Sequence, residues 1–175
     1  GGHGQYGHVK MKFEPSGDLE TPYVFEQVVV GGAVPKNYFP AVEKGLQEAV
    51  QKGPLAAYPV VGVKGILYDG SYHPVDSSEM AFKTASMMAF KKGFMEASPV
   101  LLEPIVTMKV TVADKYTGDV MGDLNKRRGR VLGMNPAGKG ITVIDADVPQ
   151  LEIYGYSTVL RSMPGGSGEF SYEFA

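Results

Sequence analysis

Few residues in this chain could do chemistry. There are three histidines, His3, His8 and His73, and no cysteine. Thiol nucleophiles, disulfides and thiolate metal sites are therefore excluded. His73 stands in Gly70-Ser71-Tyr72-His73-Pro74-Val75-Asp76-Ser77-Ser78-Glu79, where Pro74 biases it toward an extended backbone. A histidine near Ser77 and Ser78 has the composition of a base with a nucleophile. A serine at a helix start ordinarily caps that helix, however, and no oxyanion motif accompanies these two. Three histidines could hold a metal if their loops met, but no carboxylate pattern supports such a site. An imidazole on a stiff loop can also hydrogen-bond a phosphate-bearing ligand. For a lone histidine the plainest reading, a structural or solvent-facing ring, prevails on the residues alone.

The elements around His73 are easier to assign. Val60 to Tyr68 is a strand-like run, and Ser77 to Ala97 has a helical pattern, with Ala81, Ala85 and Ala89 for close packing and Phe82, Phe90 and Phe94 filling space. Asp76 is the expected N-cap of that helix, with Glu79 completing a capping box. Upstream, Val9, Met11 and Phe13 alternate with His8, Lys10 and Lys12, the pattern of a half-buried strand. Pro15 to Asp18 is a turn, and Tyr23 to Val30 a second strand, so the pair is expected to form an antiparallel hairpin. A helix over Tyr38 to Lys52 places Tyr38, Val42, Leu46, Ala49 and Val50 on one stripe, with Gly53 as its stop. The strand after it should run parallel to the one before it.

The glycine motif Gly2-His3-Gly4-Gln5-Tyr6-Gly7 matches G-x-G-x-x-G, but a strand follows it where a dinucleotide site needs a helix. Asp119 to Gly122 matches D-x-x-G without the other GTPase motifs, and is assigned to a helix. If the first two strands form a hairpin, residues 1–7, 31–36 and 70–76 converge at one end. Glycines there would let backbones approach a ligand. Both helices begin at that end, and their free N–H groups suit phosphate. Gln5 and His73 are the side chains best placed to hydrogen-bond there.

Pro99 to Pro104 divides the chain into 1–103 and 104–175. The second part predicts strand Ile105–Val112, helix Lys115–Lys126, strands Gly129–Asn135 and Ile141–Val148, helix Leu151–Ser162 and strand Gly168–Phe174. That order, βαββαβ, is ferredoxin-like. The cluster Lys126-Arg127-Arg128-Gly129-Arg130 serves either the helix C-terminus or an RNA or acidic-protein contact. Hydrophobic residues make up 43% of 175 positions, enough for real cores, and the formal net charge is −2. No global basic field exists, so any RNA contact must be local and led by shape. No apolar run reaches membrane-spanning length. The N-terminus has no signal-peptide character, and the chain is expected to be a fragment of a longer protein.

Several of these stretches together resemble one family. Gly-Gly-His-Gly-Gln-Tyr-Gly-His at 1–8, Gly-Ser-Tyr-His at 70–73, Val-Asp-Ser-Ser-Glu at 75–79, Leu-Leu-Glu-Pro at 101–104 and Thr-Gly-Asp-Val-Met-Gly-Asp-Leu-Asn-Lys-Arg-Arg-Gly at 117–129 look like the C-terminal part of bacterial elongation factor G. The resemblance covers essentially the whole chain. It implies an α+β fold in two domains. Residues 1–103 correspond to domain four, ribosomal-protein-S5-like, with its first strand missing and a βαβ crossover that is left-handed. Residues 104–175 correspond to domain five. It also implies a ribosomal translocase whose GTP and Mg sites lie in a missing N-terminal domain, and a fragment without catalysis or cofactor of its own. The implied partners are the ribosome, its RNA and proteins near the GTPase-associated centre, and the tRNA–mRNA duplex. A cytoplasmic, monomeric protein with no membrane association is expected. By matching motif, Gln5 and His73 would contact the codon–anticodon helix with Ser77 and Ser78 close behind, and Arg127, Arg128 and Arg130 would face ribosomal RNA or protein. The competing expectation is a small hydrolase or metal enzyme using His73. Two departures point to a divergent paralogue: Pro74 replaces the usual Asp, and Leu160 to Gly168 lacks the family's Thr and Arg.

Overall fold

The computed structural model describes residues 4–162 and 168–175, so His3 and the divergent stretch 163–167 lie outside the described residues. The chain falls into two compact units, 1–100 and 101–175.

The first unit contains β1 (His8–Pro15), β2 (Tyr23–Gln27), α1 (Phe39–Gln51), β3 (Val63–Ser71) and α2 (Glu79–Glu96). Its sheet has the order β1-β3-β2. β3 runs antiparallel to β1, with Phe13 opposite Gly65, and parallel to β2, with Phe25 opposite Gly65. The expected hairpin of the first two strands is therefore wrong: they do not pair, and β3 lies between them. The link between them explains this. Asp18 accepts from Glu20 N–H and Thr21 Oγ1 in a turn of its own. Ser16 N–H and Thr21 O bond to the two sides of Gly62, which hold open a strand-wide gap. β3 carries Val63, Gly65 and Leu67, all buried, and is the strand able to lose both edges to neighbours. β1, with Lys10 and Lys12 exposed, takes an edge. The parallel relation of β3 to β2 across α1 is as the sequence predicts.

Both helices pack on the face that carries Val9, Met11 and Phe13. They run side by side in the same direction. Tyr38 stacks on Phe82 at 4.5 Å between ring centroids, and Ser86 Oγ donates to Val42 O at 2.7 Å. At Gly45 a Cβ would lie 2.5 Å from Lys83 O, so only glycine allows this approach. Gly53 does not end α1 in a left-handed turn. Lys52 closes the helix, and Gly53 is there because a Cβ would meet Val60 Cγ2 at 2.5 Å.

The second unit contains β4 (Ile105–Ala113), α3 (Thr117–Lys126), β5 (Arg130–Gly138), β6 (Ile141–Pro149), α4 (Tyr156–Ser162) and β7 (Glu169–Phe174), with a 3-10 turn over Gln150–Ile153. The sheet order β5-β6-β4-β7, antiparallel throughout, is ferredoxin-like. The single helix expected over Leu151–Ser162 is instead a 3-10 turn and a short α-helix. Gly155 at φ 73° breaks them apart. Val106, Met108, Val110, Val120, Leu124, Ile144, Ala146 and Tyr156 form the core.

The Tyr156 hydroxyl is buried without a hydrogen-bond partner. Burial, aided by the Asp123 carboxylate and opposed by Arg127, pushes its phenol up to about 12. The folded state thus holds this proton more tightly than the unfolded chain. Stability is unaffected below the usual tyrosine range and falls as pH rises from about 10 through about 12. Denaturation of Tyr156→Phe across that range should show a shallower loss, with neutral-pH stability equal or higher. A second measurement checks the helix packing. Gly45→Ala should lower stability by about 1–3 kcal/mol. Gly122→Ala, where a Cβ meets nothing within 4 Å, should raise it by up to about 1 kcal/mol. Equal urea midpoints for the two variants would contradict the packing described.

Candidate functional site

Two loops meet at the end of the first unit where both helices begin. One is residues 4–7, entering β1; the other is residues 72–78, between β3 and α2. They are joined by backbone. Tyr6 pairs with Ser77 in a single parallel bridge, and Tyr6 N–H donates to Asp76 O at 2.9 Å. Ser77 Oγ donates to Tyr6 O at 2.9 Å and accepts from His73 N–H at 2.8 Å. Tyr6 is also tied by its phenol to Ser71 Oγ at 2.6 Å, and that oxygen meets His8 Nδ1 at 2.8 Å.

Asp76 does not cap α2. Its carboxylate accepts from Gly4 N–H at 2.9 Å and so belongs to the loop junction. Ser78, extended at φ −151° and ψ 165°, is the N-cap and accepts from Ala81 N–H at 3.1 Å. Asp76 and Ser77 are consumed in pairing with the first loop, which delays the helix until Glu79. Glu79 then lies in the first turn, where its charge is favourable. The glycines also serve a purpose other than the one expected. A Cβ on Gly7 would strike Ala81 O at 2.6 Å, and one on Gly70 would strike His8 O at 2.3 Å. They let chain approach chain rather than chain approach ligand. Gly31 and Gly32, with φ of 69° and 71°, serve a turn.

The structure brings Gln5, His73, Ser77 and Ser78 together, and their bonding fixes what each presents. His73 Nδ1 accepts from Val75 N–H at 3.2 Å and Asp76 N–H at 3.0 Å. With that lone pair occupied, the ring proton belongs on Nε2. Asp76 Oδ2, 3.5 Å from Nδ1, is farther off than either backbone donor and does not set the tautomer. Half of the His73 side chain is exposed. Ser78 Oγ uses a lone pair on Ala81 N–H and so gives its proton to Gln5 Oε1 at 3.2 Å. That orients the exposed Gln5 amide with its NH2 outward. The pair therefore presents donors: an imidazole N–H and an amide NH2.

Such a site suits an acceptor-rich ligand, as phosphate and ribose oxygens are. It does not suit a general base, because neither imidazole nitrogen offers a free lone pair. Both serine hydroxyls are committed to backbone or to Gln5, and neither bonds the His73 ring. No group of three His, Asp or Glu able to hold a metal occurs among the described residues. No described helix is long and apolar enough to cross a membrane.

The arginines of the second unit differ sharply. Arg127 is mostly buried: Nε pairs with Asp123 at 2.9 Å, and Nη1 donates to Glu152 O and to Tyr154 O. Arg128 follows α3 in the left-handed region at φ 58°. Gly129 N–H returns to Leu124 O and Arg128 N–H to Asn125 O, a Schellman closure with arginine where glycine is usual. The Arg128 guanidinium is bidentate to Glu103 and also donates to Glu152, and its hydrogen bond to the Glu103 carboxylate is the main reason its pKa is raised further. Arg130 alone of the three is open, 80% exposed with Asp147 at 3.7 Å. Asp119 to Gly122 lies within α3, as the sequence predicts.

Nitrogen-15 spectra of His73 should show Nδ1 as the unprotonated nitrogen in the neutral ring. A neutral ring protonated at Nδ1 would refute the donor assignment.

Two family models match the chain end to end: elongation factor G, domain IV, over residues 1–98, and elongation factor G C-terminus over residues 100–175. A solved structure of a protein from Thermus thermophilus is 47% identical over 100% of this chain, with a TM-score of 0.81. This chain spans 26% of that protein's length. With both its units matched in order, the chain belongs to the elongation factor G family and carries the domain IV and C-terminal portions of such a translation factor.

Proposed function

We propose that this chain is the RNA-engaging part of a ribosomal translocase, a GTPase whose nucleotide site lies in another domain. The two joined loops of the first unit engage the tRNA–mRNA duplex in the decoding region. The observation that carries this reading is the pair of outward donors. Gln5 and His73 share one rigid loop junction, each locked from behind by a serine or by backbone N–H groups. A-form RNA presents phosphate and 2′-hydroxyl oxygens on its accessible surface. Two fixed donors can read that surface by shape without a basic field, as a chain of net charge −2 requires.

The role is steric and hydrogen-bonding, and no bond is made or broken. Ser77 and Ser78 act behind the contact: Ser77 holds the two loops at one spacing, and Ser78 orients Gln5 while starting α2. In the second unit the proposed ribosomal contact falls on Arg130. Arg127 and Arg128 shape the surface beside it. A ribosomal role implies a cytoplasmic protein.

The test uses the intact factor that carries this chain. His73→Ala removes one charge-assisted donor and should slow translocation roughly tenfold. Ribosome-stimulated GTP hydrolysis should stay near its normal rate. Equal loss of both activities, or loss of neither, would sink the contact role.

A further inference from the structure

Beside the loop junction, three polar side chains share one hydrogen-bond chain. His8 opens β1 and stands opposite Ser71, the last residue of β3. The Ser71 hydroxyl oxygen lies 2.6 Å from the Tyr6 phenol oxygen and 2.8 Å from His8 Nδ1. A serine hydroxyl has one proton, so the chain runs in one of two directions. Either Tyr6 donates to Ser71 and Ser71 to His8, or both bonds are reversed. The groups at the two ends decide. A phenol is the more acidic hydroxyl and the better donor, and an imidazole nitrogen is a better acceptor than a phenol oxygen. The favoured direction is therefore Tyr6 to Ser71 to His8. With Nδ1 accepting, the neutral ring carries its proton on Nε2.

No side chain or carbonyl among the described residues takes that proton. The residue is exposed, and its ring bonds only Ser71. His8 thus repeats the arrangement found at His73: the inner nitrogen is occupied and the outer N–H is free. The two are linked through Tyr6, whose ring centroid lies 6.3 Å from that of His73 and whose N–H is held by Asp76 O. The charges around His8 decide which acceptor it suits. The Asp69 carboxyl on β3 is held below the usual carboxylate range, chiefly by a backbone bond from Gly70, with Lys10 and His8 adding to the effect. Lys10 Nζ lies 3.6 Å from it and brings the local charge only to even. A phosphate would meet that carboxylate with no surplus positive charge to offset the repulsion. A neutral oxygen meets no such penalty. On A-form RNA the accessible neutral oxygen is the ribose 2′-hydroxyl.

We propose that His8 is a further binding residue of this loop end, an outward Nε2–H donor to a ribose 2′-hydroxyl, positioned by the hydroxyls of Tyr6 and Ser71. This rests on the RNA reading above for the identity of the ligand. Two amides separate the ring nitrogens: glutamine can place its NH2 near the position of Nε2, and asparagine only near that of Nδ1. In the intact factor, His8→Asn should slow translocation about fivefold, and His8→Gln should stay within about twofold of the parent. Ribosome-stimulated GTP hydrolysis should hold in both. Equal rates for the two variants, both normal or both slow, would overturn the proposal. The loss in His8→Asn should be the same at low and at raised salt; a loss that shrinks as salt rises would mean a phosphate contact and overturn the ribose assignment. Nitrogen-15 spectra check the positioning. Neutral His8 should be protonated at Nε2 in the parent, and Ser71→Ala should raise the share protonated at Nδ1. A parent ring protonated at Nδ1, or no change in Ser71→Ala, would overturn the hydroxyl chain. If His73→Ala slows translocation and His8→Asn does not, this contact falls and the loop reading stands. If His73→Ala has no effect, both fall.

Discussion

Everything at the candidate site depends on the joining of two loops by the Tyr6–Ser77 bridge. One backbone bond, Tyr6 N–H to Asp76 O, and one hydroxyl, Ser77 Oγ, hold the entry of β1 against the entry of α2. From that junction follow the position of Gln5, the delayed start of α2 and the closed turn that occupies Nδ1 of the His73 ring. The glycines at 7 and 70 are conditions of the same junction, since a methyl group at either would force the chains apart. The site is thus assembled from residues far apart in sequence and made stiff by main-chain bonds.

The two units use polar residues in opposite ways. At the loops of the first unit, hydrogen bonding is arranged so that donors remain for something outside. In the second unit Arg127 and Arg128 are turned inward or paired, while Arg130 stays open. Arg127 holds carbonyls, and Arg128 accepts a left-handed backbone, costing about 1 kcal/mol, in a place where three carboxylate oxygens meet it. A run of basic residues therefore yields little free positive charge. What that region presents to solvent beside it is apolar, at Leu151 and Tyr154.

Much of the fold was legible from pattern. Alternation in Val9, Met11 and Phe13 identified an inward strand face, the stripe Val42, Leu46, Ala49 and Val50 identified a buried helix face, and the order of elements after residue 104 identified a ferredoxin-like unit. The motifs at 1–8, 70–79 and 117–129 identified the family. Pairing was not legible. Adjacent strands looked like a hairpin, yet the Asp18 turn and the bonds to Gly62 make room for a third strand. Capping was misassigned because Asp76 and Ser78 are equally good caps by type, and only the pull of the first loop on Asp76 decides between them.

By itself the sequence determined which residues alternate, which stretches can be helix or strand, which family they belong to and that no thiol chemistry is possible. Those are properties of residue type and near spacing. Tertiary structure decided the strand order, the cap, the tautomer of His73, the direction of the Gln5 amide and the fate of each arginine. The reason is physical: a hydrogen bond is settled by which partner arrives, and here the partners arrive from distant parts of the chain.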